Sequence, residues 1–575
     1  MKGDFVMQDS MFTHKFLSRH HWWIDSGLVG LYYIAVKVKD ENSAYNSIIC
    51  QTDAHGIIFQ APSEADLKGF LDYCYSKLAD KYWNVSTKKQ QEAKELVIYY
   101  KDLDKLDVIP KIKPTPIPNL FTKASSYRAD GIEYNELPTE MRKRVDQFLS
   151  ETNKDLWGTK KRLLYEQPVC HPKIELFPVK VKRNVCSICG QESVCSDVSQ
   201  PSFLLFASST ATLSFNSEGK KPDKICWECE FLSKFAIESA HYKSSGENLY
   251  ILQLFTGNVQ KLINNHKILG SQSSVRQLDM ENFLSNIGVQ KLENRILYYA
   301  RLPYEILWAF FHDTYDMLRT DIESRSKTSD ELMMLCVKPF IETQLQLILL
   351  MISSKGQTFI PKEIIVYTET TYVFRLLHSF REAYSGDIKF LFKVFQDLYL
   401  PVKKDQLFDI NNYLSRNDIL RKVLQKKPIL QEMEQFVFHK SLLQEFPYIS
   451  NLVDFTKHYQ LIIQEECGMT KEQVEVAVNL GKQIVISAKE AAKDVTDSNF
   501  DRVKGDLFAL RKARTVTDFL EQLNRIQFRY NITVSNQILG GILEDQNVSF
   551  ADFKSYCLLA ALNTYNNYKR PKDTK

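Results

Sequence analysis

Apolar positions along this chain recur with a period that changes from one end to the other. Residues 46–50 and 56–60 are short, apolar, β-branched runs, and Thr52-Asp53-Ala54-His55-Gly56 between them predicts a hairpin-like turn. Within residues 63–78, Leu67, Phe70, Leu71, Cys74 and Leu78 share one helical face, and 96–100 predicts a strand. Pro110, Pro114, Pro116 and Pro118 then mark an extended connector. Residues 135–170 are polar and predict helix, with Arg142, Lys143, Arg144, Lys160, Lys161 and Arg162 along them.

From about 245 to 465 the pattern is read as long and amphipathic, as at 304–318 and 332–351, with Pro401, Pro428 and Pro447 as punctuation. The most apolar stretch, 345–352, is far shorter than the ~20 residues that cross a bilayer. The tail from Met469 predicts a helical bundle. Thr470-x-x-Gln473 forms a capping box ahead of Val474, Ala477, Val478, Gly481, Ile484 and Ala488. Phe500, Val503, Leu507 and Leu510 form a second apolar face, and Phe519, Leu523, Ile526 and Tyr530 a third. Ser549-x-x-Asp552 opens a last helix carrying Phe553, Tyr556, Leu559 and Ala560.

A chain of 575 residues exceeds a single core, which stops growing near ~250–300 residues. The expected class is α+β: a mixed α/β N-terminal region with an inserted zinc ribbon, then a mostly helical second half ending in a C-terminal helical bundle. The expected boundaries are 1–120, 121–244 (ribbon at about 180–235), 245–465 and 466–575. The formal charge of +4 is too small to announce nucleic-acid binding by the chain as a whole, so any such role must lie in local patches.

Residues 1–21 contain Lys2, Asp4, Lys15, Arg19 and three histidines but no apolar core, which is not the pattern of a signal peptide. The eleven cysteines are therefore expected as reduced thiols or metal ligands in a prokaryotic cytoplasm. Cys186-x-x-Cys189 and Cys226-x-x-Cys229 stand 36 residues apart, and each pair can place two thiolates on one tight turn. Gly190 follows the first pair, as a knuckle needing φ > 0 requires. Four thiolates leave no open position for substrate, so a structural Zn²⁺ is expected, with an iron–sulfur cluster as the other occupant such a set can hold. Cys195 is a spare ligand, and Cys170-His171 a weaker one.

The module is locally basic. Lys180, Lys182 and Arg183 precede the first pair, and Lys220, Lys221 and Lys224 the second. Ser208, Ser209, Thr210, Thr212, Ser214 and Asn216 between them suit phosphate or groove contacts, although a solvated hairpin with ordinary surface lysines has the same composition. In the tail, Lys482, Lys489, Lys493, Arg511, Arg514, Arg525 and Arg529 recur at helical spacings. Such a face suits single-stranded DNA, or only packing on the chain itself.

Trp22-Trp23-Ile24-Asp25-Ser26-Gly27-Leu28-Val29-Gly30-Leu31 joins aromatics to a pair, Asp25 and Ser26, that can cap a short helix, and to two glycines, Gly27 and Gly30, that permit close backbone approach. Its spacing is not that of a phosphate loop. This W-I-D-S-G-x-x-G-L segment (Trp23, Asp25, Gly27, Gly30), the C-S-I-C-G and C-W-E-C-E pairs, and Ser214-Phe215-Asn216 resemble the CXXC–CXXC large subunit of type I-B, I-A-like CRISPR Cascade complexes. The resembling motifs cover residues 20–235. Trp22-Trp23 and the acidic Trp227-Glu228 knuckle depart from the pattern at single positions.

The resemblance implies a non-catalytic subunit of a crRNA-guided complex. It would read the PAM on double-stranded DNA, help open the R-loop, hold the displaced strand and recruit the Cas helicase–nuclease, leaving protospacer readout to base pairing. Implied partners are the backbone subunits, the crRNA-end-binding subunit and small subunits, with no membrane. It also implies that the bundle from Met469 can be made separately as a small subunit. Two rival classes are a zinc-ribbon nuclease and a zinc-stabilised scaffold without nucleic-acid contacts. His312-Asp313 is the nearest acid–base pair for the former, but no two-metal carboxylate cluster is visible in the sequence.

Overall fold

The computed structural model describes residues 11–82, 96–109, 131–152, 162–165, 174–179, 183–198, 224–245, 248–270, 300–323, 344–355, 358–384, 389–400, 410–444, 446–463, 468–492, 498–534 and 548–570, with a few short pieces between. The chain divides into two compact units, residues 1–287 with 339–370, and residues 288–338 with 371–575. Helices and several small sheets alternate in the first, and helices dominate the second.

The first unit opens with β1 (Phe12–Leu17), α1 (Trp22–Glu41), β2 (Ile49–Thr52), β3 (Gly56–Ala61) and α2 (Glu64–Tyr82). The three strands form an antiparallel sheet in the order β1-β3-β2. The turn expected at 52–56 joins β2 to β3, closed by Asp53, whose carboxylate accepts from the His55 and Gly56 amides at 2.8 and 2.9 Å. Leu67, Phe70, Leu71, Cys74 and Leu78 of α2 are fully buried, as their spacing requires.

A second sheet has the order β5-β4-β8-β7, from β4 (Leu96–Tyr100), β5 (Lys105–Ile109), β7 (Gly131–Glu133) and β8 (Arg162–Leu164); β6 (Tyr127–Arg128) pairs with β9 (Val169–Cys170). Helix α3 (Thr139–Glu151) packs Val145 into a satellite core with Val97, Leu106, Leu137 and Leu163. Of the stretch expected to be helical from 135 to 170, Thr139–Glu151 is helix, whereas Arg162–Leu164 and Val169–Cys170 are strands. The cysteine module follows, with β10 (Asn184–Val185), β11 (Glu192–Ser193), β12 (Cys195–Asp197), β13 (Lys224–Cys226) and α4 (Trp227–Phe235).

The largest departure from expectation lies between 245 and 465, read as helical. Strands β14 (His241–Ser245) and β15 (Asn248–Phe255) precede α5 (Val259–Gly270) and pair with a distant hairpin, β18 (Gln346–Lys355) and β19 (Thr358–Tyr367). The order β14-β15-β18-β19 is antiparallel throughout, with Asn248 opposite Ser353 and Phe255 opposite Gln346. The run at 345–352 is the centre of this sheet, not a helix. Leu347, Ile348, Leu349 and Leu350 are all buried, so both faces of β18 are covered.

The second unit holds β16 (Val289–Leu292), β17 (Arg295–Tyr298), α6 (Pro303–Glu323), α7 (Thr370–Ala383), α8 (Lys389–Asp397), α9 (Leu414–Leu424), α10 (Leu430–Leu443) and α11 (Ser450–Ile463). Glu305 and Arg416 form a buried pair at 2.8 Å, with Arg416 over the Phe395 and Tyr413 rings. The tail forms α12 (Lys471–Ala491), α13 (Ser498–Lys512), α14 (Val516–Tyr530) and α15 (Phe550–Lys569). The Thr470/Gln473 capping box is present, and Ser549 caps α15 through the Asp552 amide. All three expected apolar faces are buried.

The boundary expected at 465/466 does not isolate this bundle, because α15 packs on α10 and α11 as well as on α12 and α13. Ser450 donates to Asn563 at 2.9 Å, Arg570 to the Phe446 carbonyl at 3.3 Å, and Arg511 pairs with Glu434 at 2.7 Å. Among the described residues no helix is long and apolar enough to cross a membrane.

Candidate metal centre

The sulfurs of Cys186, Cys189, Cys226 and Cys229 all lie within 4.8 Å of one another. The Cys189 and Cys226 sulfurs are 3.8 Å apart, far beyond a disulfide bond. Four sulfurs at ~2.3 Å from a central ion stand ~3.8 Å apart at the corners of a tetrahedron. The donor set therefore fits a tetrahedral, thiophilic cation.

Local sequence explains each half. The β10–β11 hairpin folds the first knuckle back on itself: Cys186 N donates to the Gln191 carbonyl at 3.0 Å, and Gly190 N to the Cys186 carbonyl at 2.8 Å. Gly190 sits at φ +71°, where a side chain would be strained. The second knuckle is the start of α4. Cys226 is its N-cap and accepts from the Cys229 amide at 3.4 Å, which brings both thiols to the positive end of the helix dipole. The knuckles touch through the Cys226 amide, which donates to Cys186 Sγ at 3.3 Å, and the Ser187 amide, which donates to the Lys224 carbonyl at 2.8 Å.

Left to themselves the thiols compete for protons. Hydrogen bonds from Cys226 and Cys229 pull Cys186 far down, and one from Cys229 brings Cys189 down to about 7. Donating those hydrogen bonds pushes Cys226 and Cys229 up. A divalent ion removes this conflict by replacing the shared protons.

Cys195 lies opposite Cys226 in the β12–β13 ladder but outside the group of four, its thiol turned to the Asn184 and Ser193 carbonyls at 3.4 Å. Among the described residues this is the one cluster of three or more potential ligands.

The W-I-D-S-G-x-x-G-L segment is the first part of α1, and it packs directly on α4. A Cβ added at Gly27 would stand 2.0 Å from the Leu232 carbonyl oxygen, and one at Gly30 2.0 Å from that of Phe235, so the two glycines let the backbones touch. Trp23 Nε1 donates to the Ser233 carbonyl at 3.2 Å, and Ser239 Oγ to the Ser26 carbonyl at 2.9 Å. The cap of α1 is His21, whose Nδ1 accepts from the Trp23 amide at 3.2 Å. Burial lowers the His21 pKa and favours the neutral ring that this acceptor role requires.

Asp25, expected as a cap, is instead buried and accepts from the Arg19 amide at 2.9 Å and the Ser18 hydroxyl at 2.8 Å. Burial pushes its carboxyl up, and those two donors act against the shift. Arg19, which the sequence did not single out, reaches from this turn to both knuckles. It donates to Gln191 Oε1 at 2.9 Å and pairs with Glu228. Next to them, His14, Phe16, Phe177 and Trp227 form an aromatic cluster, and burial lowers His14 to about 4.

Of the basic candidates, Arg183 is exposed, while Lys224 pairs with Asp197 across β12–β13. Lys180, Lys182, Ser209, Asn216, Lys220, Lys221 and Lys493 lie outside the described residues. In the tail Lys482, Lys489, Arg514 and Arg525 are exposed. Arg511 is turned inward to Glu434 and the Phe438 ring, and Arg529 pairs with Asp506, so the seven do not form one uniform face. His312 and Asp313 do meet, at 3.2 Å, but the other Asp313 oxygen accepts from the Gly288 amide at 3.1 Å, a structural use of the carboxylate.

No protein-family model matches the chain, and no curated protein matches it in sequence.

Proposed function

We propose that this chain is a non-catalytic, zinc-braced large subunit of a crRNA-guided type I-B Cascade complex. In that role it reads the PAM duplex, assists R-loop opening, binds the displaced strand and recruits the helicase–nuclease. One observation carries the reading: the W-I-D-S-G-x-x-G-L segment and the second Cys-x-x-Cys pair, two of the motifs that bear the resemblance and about 200 positions apart, form one packed unit. Gly27 and Gly30 seat α1 on the helix that begins at Cys226, and Arg19 links the same segment to both knuckles. A closed four-thiolate site supplies no open coordination position, so the ion's role is to brace the ribbon.

The tail from Met469 serves in this reading as a small-subunit-like bundle. Met469 is buried, and Arg511 has its partner on α10, so a separately made tail would have to cover that face with another surface.

The test is co-expression with the remaining Cascade subunits and crRNA. The chain should co-purify with crRNA, and the assembled complex should bind a PAM-containing duplex. Charge reversal of Lys180, Lys182 and Lys221 should weaken that binding and reduce its salt slope by ~0.9 for each phosphate no longer neutralised. Unchanged affinity and slope, or failure to co-purify with crRNA, would overturn the proposal.

A further inference from the structure

A divalent ion held by four thiolates carries a formal charge of minus two, and a buried charge of that size needs a compensating partner. Three of the four cysteines are buried, and Glu228 between the second pair adds a further carboxylate. Burial raises the Glu228 pKa, and Arg19 acts against that shift. The lysines and arginine expected to make the ribbon basic do not meet this need where they are described: Arg183 is exposed and Lys224 is engaged by Asp197.

Arg19 does meet it. Its side chain is only 5% exposed, and its guanidinium touches Gln191 just beyond the first knuckle and Glu228 within the second. Burial works against its charge, and the Glu228 carboxylate beside it acts in the opposite direction. The backbone beneath it is equally fixed. Ser18 and the Arg19 amide are both bound by Asp25, and Asp25 belongs to the helix that Gly27 and Gly30 lock against α4.

We infer that Arg19 is the counter-cation of the metal centre, a positioning residue held by Asp25, through which ion binding and the placement of the N-terminal segment are coupled. The inference rests on the reading of the four cysteines as a metal site. Partners outside the ligand shell are general determinants of metal affinity, with losses of ~10–100-fold when they are removed. Arg19 differs from an ordinary partner of this kind in coming from a segment more than 160 residues away from either knuckle.

The experiment uses the full chain, with zinc measured by competition against a chromophoric chelator and cobalt(II) as a spectroscopic stand-in. Arg19→Met, which keeps the apolar stem, should bind zinc ~10–100-fold more weakly and shift the thiolate-to-cobalt charge-transfer bands. Arg19→Lys should recover most of the affinity. Asp25→Asn, which leaves every charge at the cysteines in place but loosens the turn, should lose several-fold.

Equal losses in Arg19→Met and Arg19→Lys would assign the residue to packing and overturn the counter-cation role. Unchanged affinity in Arg19→Met, or in Asp25→Asn should Arg19→Met fail to fold, would overturn the inference while the four-cysteine site stands. Wild-type protein that binds neither ion would remove the metal reading itself and the inference with it.

Discussion

Replacing Gly27 by Ala tests the packing of α1 on α4 with an internal control of identical chemistry. The new Cβ would lie 2.0 Å from the Leu232 carbonyl oxygen. An ordinary non-bonded separation is ~3.5 Å, so the helices must part by about 1.5 Å. The obstacle is backbone within a helix and has no rotamer to retreat to, which puts the overpacking cost near the upper end of ~1–3 kcal/mol. Ala gains ~0.5–1 kcal/mol over Gly in a helix, leaving a net loss of about 2 kcal/mol. Gly69 in α2 is also helical, but nothing lies within 4 Å of its added Cβ. Gly69→Ala should therefore stabilise by ~0.5–1 kcal/mol, so the same substitution has opposite signs at the two sites. Urea unfolding followed by tryptophan fluorescence measures both, since Trp22, Trp23 and Trp227 lie at this end of the first unit. A Gly27→Ala midpoint at or above that of Gly69→Ala would refute the close-approach argument.

Three further outcomes follow from other parts of the chain. Arg416→Met should destabilise the second unit by ~3–5 kcal/mol by stranding Glu305, which is fully buried; a thermal midpoint within error of wild type would contradict the buried pair. Burial lowers Lys440 to about 8 from its ordinary 10.5, so the unfolded chain binds more protons than the folded one between those values. Stability should therefore rise with pH across that window, and Lys440→Met should flatten the rise in denaturation midpoints measured from pH 7 to 10. Cys195→Ser should retain a full equivalent of zinc by metal analysis, whereas Cys186→Ser should lose it, because only the latter belongs to the group of four.

What could be read from sequence was what is encoded locally. The Cys-x-x-Cys turns, Gly190, the Thr470/Gln473 box and the faces of the tail helices each need only a few neighbouring residues, and all are found. The β14-β15-β18-β19 sheet escaped because its central strands are buried on both faces. Leu347 to Leu350 then form a continuous apolar run in which the two-residue period is erased, and such a run is also what a buried helix looks like. Its pairing with residues 248–255 is set by tertiary packing across 91 to 105 positions. Arg19 carried no signal either. A single arginine ahead of an aromatic doublet is unremarkable until the knuckles fold against it, and the acidic Glu228 that stood out as a departure proves to be its partner. The boundary drawn before Met469 followed a change in local pattern, but the buried surface of α15 ignores it.

The contact between Trp23 and Ser233 spans 210 positions, and that distance has a consequence in time. A ribosome adding ~5–20 residues per second needs about 10–40 s to make the chain between them. Throughout that interval the glycine face of α1 has left the exit tunnel with nothing to rest on, and Arg19 has no acidic partner on α4. A metal ion bound by all four cysteines could then close on this segment only after Cys229 has emerged, well after α1 itself was made. Until then the nascent chain presents an uncovered tryptophan and a bare helix backbone, a surface that a holdase chaperone can cover.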